Sequence, residues 1–411
     1  MWKLKFLLLF SIIPREFNFF LGSLLLTPFK LYLIFLFTTV FINSFIRPSF
    51  KWGIHDILAL LVSLWPSIAL AINSDLSKAF ESGGIIFLEL FVPYFLARQQ
   101  IKTLEQLQDF TKFILVLIVV LTIPAIPEAI SGRHFIHEFF SALTGNYFFA
   151  GNGARLGIWR SYSFTDHPII LGSLCSLGIM FSFYFVQRHS KYVFYGIISL
   201  VGVICSVSSA PLLSVISQFG MILWSRIFKG IKSKWFILTI VLILSYIFVD
   251  IFSDRDPIRV LLSYLLFSEH NGFVRYYMWV YSFFLINQSL FSALFGYGFS
   301  IEMFDLIENP FFSNLMKSTI DSFWLVNLLR YGWVMFILWF LFISSCVYQN
   351  RYIFRNSDWK VRKILEAWFI VMISFSIISF TVHFWGSTAS TFLIILACGT
   401  ASIKPKQKVG S

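Results

Sequence analysis

Charge is scarce in this chain. Only 13% of its 411 residues are Asp, Glu, Lys or Arg, about half the share in a water-soluble domain. Acids are scarcer than bases, 20 against 32. No stretch has the composition of a soluble domain, so the length does not divide into several of them. Cysteine is nearly absent. Cys175, Cys205, Cys346 and Cys398 each fall inside an apolar run, without metal-ligand spacing. They read as small core residues and not as disulfides. There is no repeat of solenoid length and no low-complexity tract.

What fills the chain is apolar: 58% of residues, 52 of them Phe, with a mean hydropathy of +0.79. That composition predicts an all-α fold, a polytopic integral membrane helix bundle. Backbone inside a bilayer must satisfy its own hydrogen bonds, and these runs are too long and continuous for barrel strands. A span needs about 20 mostly apolar residues. On that rule about twelve segments qualify: 4–26, 30–46, 54–72, 84–97, 110–130, 164–187, 192–208, 211–227, 235–252, 322–348, 364–382 and 387–403. Pro14, Arg15 and Glu16 interrupt the first. It has no small-residue cleavage site, so it reads as a membrane helix and not as a signal peptide.

The net charge of +12 resides in short basic turns, among them 226–234 and 351–363. Such turns set topology and do not imply nucleic acid. Alternating them through twelve spans puts both termini in the cytoplasm. Residues 1–411 then form a single membrane domain with two long outer loops. The first is 131–163; the second, 253–321, is a large extracytoplasmic loop. The apolar part of the second, from Val274 to Phe295, reads as an interfacial helix or one folded over the bundle. Counting it as a span would put the basic 351–363 turn outside.

Polar and ionisable groups gathered on one side of such a bundle are where chemistry is expected. Most fall between Asp254 and Asp321, with a second group from Arg160 to Pro168. Arg275, followed by Tyr276, Tyr277 and Trp279, offers a planar fork of donors that suits phosphate oxygens. Asp321 fits a helix cap or first-turn acid and equally a general base. Ser206 to Leu213 reads as a tight polar hairpin, and Gly296-Tyr297-Gly298 as a flexible turn. Asp254-Arg255-Asp256 is only a weak metal-type pattern. Glu89 and Arg330 are isolated charges inside apolar runs and read as structural or tail-groove residues. Arg330 is nine residues beyond Asp321, which on a continuous helix is about 14 Å away and on roughly the opposite face.

In order, several short motifs carry a resemblance. They are Ser23-Leu24-Leu25-Leu26-Thr27-Pro28, Arg160 with His167-Pro168, and Ser208-Ser209-Ala210-Pro211. Arg275 leading to Trp279, Gly296-Tyr297-Gly298, and Asp321-Ser322-Phe323-Trp324-Leu325 followed by Gly332 complete the series. Together they resemble the O-antigen polymerase and ligase superfamily of bacterial envelope proteins. The resemblance implies a GT-C-like membrane fold in the bacterial inner membrane. It implies a glycosyltransferase that joins oligosaccharides carried on a polyprenyl diphosphate at the outer face. It calls for no metal and no cofactor. Ligases of the family carry a histidine near the position of Asp321, so the aspartate favours the polymerase branch. His270 keeps the ligase alternative open, with a lipid or protein acceptor. A lipid-linked glycan flippase is the non-enzyme alternative, which the concentration of cations in loops disfavours. The implied catalytic residues are Asp321, His167 and Arg275. The implied substrate-binding residues are Arg160, Arg155, Arg259, His270, Tyr276 and Trp279. Partners are the lipid-linked oligosaccharide and membrane lipids, with room for a chain-length regulator protein.

Overall fold

The computed structural model describes residues 1–21, 24–47, 50–74, 76–148, 150–151, 153–231, 233–252 and 269–401. The chain is about 76% helical. In order, the first helices are α1 (Trp2–Ser11), α2 (Pro28–Phe41), α3 (Ile54–Asn73), α4 (Gly84–Gln100), α5 (Leu104–Ser131), α6 (Phe135–Thr144), α7 (Pro168–Val186), α8 (Tyr192–Ser206), α9 (Ser209–Ile227) and α10 (Lys234–Phe252). There follow α11 (Glu269–Ile286), α12 (Leu290–Phe295), α13 (Pro310–Ser318), α14 (Phe323–Arg355), α15 (Trp359–Ile378) and α16 (Ser387–Gly399). Among the described residues, eight helical stretches are long and apolar enough to cross a membrane. They are Pro28–Ile46, Ile54–Asn73, Leu76–Gln100, Leu104–Ser131, Pro168–Val186, Ser209–Ile227, Lys234–Phe252 and Phe323–Arg355. Two further apolar helices, α8 and α16, are shorter.

The expected first span, 4–26, is not one helix. α1 has ten residues, about 15 Å of rise and half of a bilayer core. A two-stranded antiparallel hairpin, β1 (Phe19–Leu21) and β2 (Leu24–Leu26), completes the run. The interrupting charges explain the break, because they tie to the segment between α5 and α7. The Arg15 amide donates to Asp166 at 3.2 Å. The buried Glu16 carboxylate lies 3.0 Å from Nδ1 of His137.

The core is one large apolar cluster running through most of the bundle. α7 lies at its centre and packs on α5, α8, α9 and α15. α10 is the opposite case, with no buried residue. Its apolar side chains face outward all round, as on a helix that meets lipid.

The large loop builds a second, smaller cluster. Met278, Leu285, Met303, Phe304, Ile307, Phe312 and Met316 pack together and onto Leu325 and Leu329 of α14. α11 and α12 thus lie against α14, which agrees with a segment folded over the bundle.

α14 is broken at Gly332, where φ is 77° and ψ is −179°. The break frees carbonyls that need partners away from water. Tyr297 N–H donates to Leu329 O at 2.7 Å and Gly298 N–H to Arg330 O at 3.0 Å. The Trp65 indole donates to Tyr331 O at 2.8 Å. Gly296-Tyr297-Gly298 is therefore a docked clamp and not a flexible turn. The approach admits only glycine: a Cβ on Gly296 would lie 2.4 Å from the Arg330 carbonyl carbon, and one on Gly332 2.2 Å from Leu294 O.

Candidate functional site

Asp321 precedes α14 and does not cap it. Ser322 is the cap, its hydroxyl accepting from Leu325 N–H at 3.4 Å. That leaves the Asp321 carboxylate for other partners. Thr319 donates its hydroxyl to Oδ1 at 3.0 Å. A guanidinium nitrogen of Arg275 lies 3.6 Å from Oδ2. The Asp321 side chain remains 47% exposed, while that of Arg275 is only 15% exposed. The pair is thus made on one side and open on the other. Burial lowers the Arg275 pKa, and the Asp321 charge pulls it back up.

Arg160 approaches from the first long loop. Its Nη2 donates to Ser208 Oγ at 2.9 Å and its Nε to Ser206 O at 3.5 Å. The hairpin holding those acceptors turns through Val207 at φ 40°, a left-handed conformation uncommon for a β-branched residue. Such strain persists where the surroundings over-determine it. Ser161 N–H donates to Cys205 O at 3.0 Å from the same loop. Burial and the nearby Arg155 lower Arg160 to about 10, still a full cation at neutral pH, and Asp321 opposes the shift. Arg155 is exposed, at a turn whose amide and carbonyl pair with Ile158. The two long loops therefore approach each other, and Arg155, Arg160 and Arg275 share one field with Asp321.

His167 lies at the start of α7. Its Nδ1 accepts from Ile169 N–H at 3.2 Å and caps the helix. Burial, helped by Arg160, lowers its pKa to about 4. At neutral pH it is uncharged, and the cap puts its proton on Nε2. In that tautomer Nε2 is a hydrogen-bond donor.

A cavity of about 350 Å³ opens beside these groups. Asp321 and His167 line it, with Lys317, Arg330, His383 and Trp385. A second cavity of about 470 Å³ runs inward between α1, α2, α4, α14 and α16. Phe299, Val326, Arg330, His383 and Trp385 line both, so the two adjoin at these residues. Arg330 had been expected away from Asp321. The reason is that α14 starts only at Phe323, so Asp321 is not on the helix and the nine-residue helical spacing does not apply to it. The Arg330 guanidinium stacks over Phe299 at 4.8 Å, which the Gly298 contact brings there.

Of the expected residues, Asp321 and His167 line the cavity, and Arg155, Arg160 and Arg275 do not line either one. Trp279 stacks on Phe380 at 6.0 Å and packs against Phe283. Tyr276 meets Tyr277 edge-on. Neither lines the two cavities. His270 lies at the start of α11, and its side chain lies outside the described residues, as do Arg259 and the Asp254-Arg255-Asp256 pattern. Among the described residues, no three His, Cys, Asp or Glu side chains gather as metal ligands would. Lys317, His383 and Trp385 escaped the sequence reading. A lone lysine in a loop and a histidine after α15 carry no spacing signal.

No known protein family, curated protein or solved structure matches the chain.

Proposed function

We propose that this protein is a glycosyltransferase of the bacterial inner membrane. It polymerises oligosaccharide repeat units carried on polyprenyl diphosphate into an envelope polysaccharide, at the outer face. In this reading both termini are cytoplasmic, about twelve segments cross or enter the bilayer in a GT-C-like arrangement, and the two long loops are extracytoplasmic. The observation that carries it is Asp321, held by Arg275 and Thr319 and half open to a cavity whose walls bear Arg330, Lys317 and His167. A carboxylate facing an arginine and hydrogen-bond donors suits a reaction that deprotonates a hydroxyl beside a departing diphosphate.

The step balances as a substitution at carbon. An acceptor hydroxyl oxygen forms a bond to the donor's anomeric carbon. The bond from that carbon to the diphosphate oxygen breaks, and its electrons leave with the diphosphate on its lipid carrier. The hydroxyl proton passes to Asp321. Arg275 positions the Asp321 carboxylate, and cations around the cavity meet the charge that develops on the diphosphate. His167 donates from Nε2 to a sugar or phosphate oxygen.

The test is the product of cells lacking the protein, separated by length on a gel. Loss of the ladder of repeats is expected, with single units left on the carrier. Long polymer retained on its carrier would instead identify a ligase. Loss of the ladder with the lipid-linked units trapped at the cytoplasmic face would identify a flippase.

A further inference from the structure

Three arginines have their guanidinium groups near the site, and their surroundings differ. Arg275 faces the Asp321 carboxylate. Arg160 is bound to the Ser206–Ser208 turn. Arg330 has no carboxylate within ion-pair distance among the described residues; its contacts are the Phe299 ring and the neighbouring Tyr331 phenol. An arginine in a membrane-length helix without an acid partner is costly, unless a ligand supplies the anion.

Arg330 stands where the two cavities adjoin and lines both, together with His383. Nδ1 of His383 is buried and has no hydrogen-bond partner. Burial, with Arg330 beside it, lowers this histidine to about 3, so it is neutral at physiological pH. Two polar groups thus lack complete partners at one junction. The second cavity also contains Lys30, Arg15, Glu89 and Asp166. Lys30 donates to Leu25 O at 2.9 Å and faces the Glu89 charge. Arg15 faces Asp166. Lys30 and Arg15 thus each have an acidic side chain nearby, whereas Arg330 has none within ion-pair distance among the described residues. The far walls are apolar, with Phe10, Ile13, Phe29, Ile86 and Leu90.

We infer that the junction at Arg330 and His383 seats the diphosphate of the lipid-linked donor, with its polyprenyl tail in the second cavity. The inference rests on the polymerase reading and sharpens it. The first cavity, with Asp321, then takes the acceptor glycan, and the anomeric carbon lies between the two. Arg275 is a positioning residue for Asp321, and Arg330 is the phosphate contact.

The experiment measures binding of undecaprenyl diphosphate to the purified full chain in nanodiscs, with undecaprenol as the uncharged comparison. Wild type should bind the diphosphate more tightly than the alcohol. Arg330→Gln should weaken the diphosphate by about tenfold or more, as the loss of a contact to a charged group does, and leave the alcohol unchanged. Arg275→Gln should bind the diphosphate nearly as wild type. Diphosphate binding that survives Arg330→Gln and collapses in Arg275→Gln overturns the inference but keeps the polymerase reading. Failure of the wild type to bind the diphosphate at all overturns both. A second measurement does not depend on the folding of Arg330→Gln. In Ile86→Cys, undecaprenyl diphosphate should slow alkylation of the new thiol, against a background of four buried native cysteines. An unchanged alkylation rate at saturating diphosphate overturns the location of the tail.

Discussion

Two Arg–Asp pairs stand in different parts of this molecule, and their difference separates a staple from a site. Arg98 on α4 grips Asp56 on α3 with two bonds, 2.8 Å to Oδ1 and 3.0 Å to Oδ2. The Tyr94 hydroxyl adds a bond at 3.0 Å and the Gly53 N–H one at 2.9 Å. Asp56 is 0% exposed and every lone pair has a donor. The pair joins α3 and α4, and a guanidinium nitrogen also reaches Thr400 O beyond α16. Arg275 and Asp321 make one contact at 3.6 Å, with half of the carboxylate open. A fully satisfied pair has nothing left to offer a ligand. A partly satisfied pair at a cavity does, and functional sites are where incomplete pairing is tolerated.

The comparison breaks first at Asp56. Asp56→Ala leaves a buried guanidinium unpaired, which costs about 3–5 kcal/mol. The expected outcome is a large drop in membrane-inserted protein and in melting temperature. Normal protein levels would remove the distinction between staple and site. At the other pair the same residue type behaves in reverse. Asp321→Asn should hold protein level and melting temperature but reduce polymer formation by about 10²–10³. Gel ladders and quantitative blots from one culture read both.

Gly332→Ala tests the clamp between them. It forces φ 77° on a residue with a Cβ and drives that Cβ to 2.2 Å from Leu294 O. A stability loss of about 1–3 kcal/mol is expected, with a fall in activity as Arg330 shifts. An unchanged melting temperature would mean that the Gly296–Gly298 turn does not hold the break. Arg275→Lys keeps the charge and loses the planar fork. About a tenfold drop in polymer yield is expected; full activity would reduce Arg275 to an anchor at the interface.

The smallest effect is in pH. His167 is held at about 4 in the folded protein, below its ordinary 6.5. Between those values the unfolded chain binds a proton that the folded chain refuses, so stability falls as pH drops from 6.5 towards 4 and levels off below. His383, held at about 3, extends the same trend. Melts across pH 4 to 8 should slope less in His167→Asn than in wild type. An identical slope would show that His167 is protonated in the folded state.

Much of the fold was legible because it is local. A long apolar run has one good solution where water is absent, a helix with its own hydrogen bonds satisfied. Eight membrane-length helices lie where the runs lie, and the helices of the large loop fold back on the bundle as their broken hydropathy suggested. The meeting of Arg275 with Asp321 was legible too, since both motifs lie in the same long segment between membrane-length helices. Other features depended on contacts distant in sequence. Pro14 to Glu16 could be read as an interruption, but their ties to Asp166 and His137 are more than a hundred positions away. Asp56 and Arg98 look like ordinary charges at helix ends until α3 and α4 pack. Helical spacing puts Arg330 opposite Asp321 only if the helix includes Asp321, and α14 starts at Phe323. Gly332 breaks it, and the carbonyls so freed are bound by Tyr297, Gly298 and Trp65 from elsewhere in the chain. The sequence determined which segments become helices, since that follows from local hydrogen bonding and burial. Only tertiary packing decided which charges share a cavity, because a broken helix and a docked turn fix directions that no local pattern encodes.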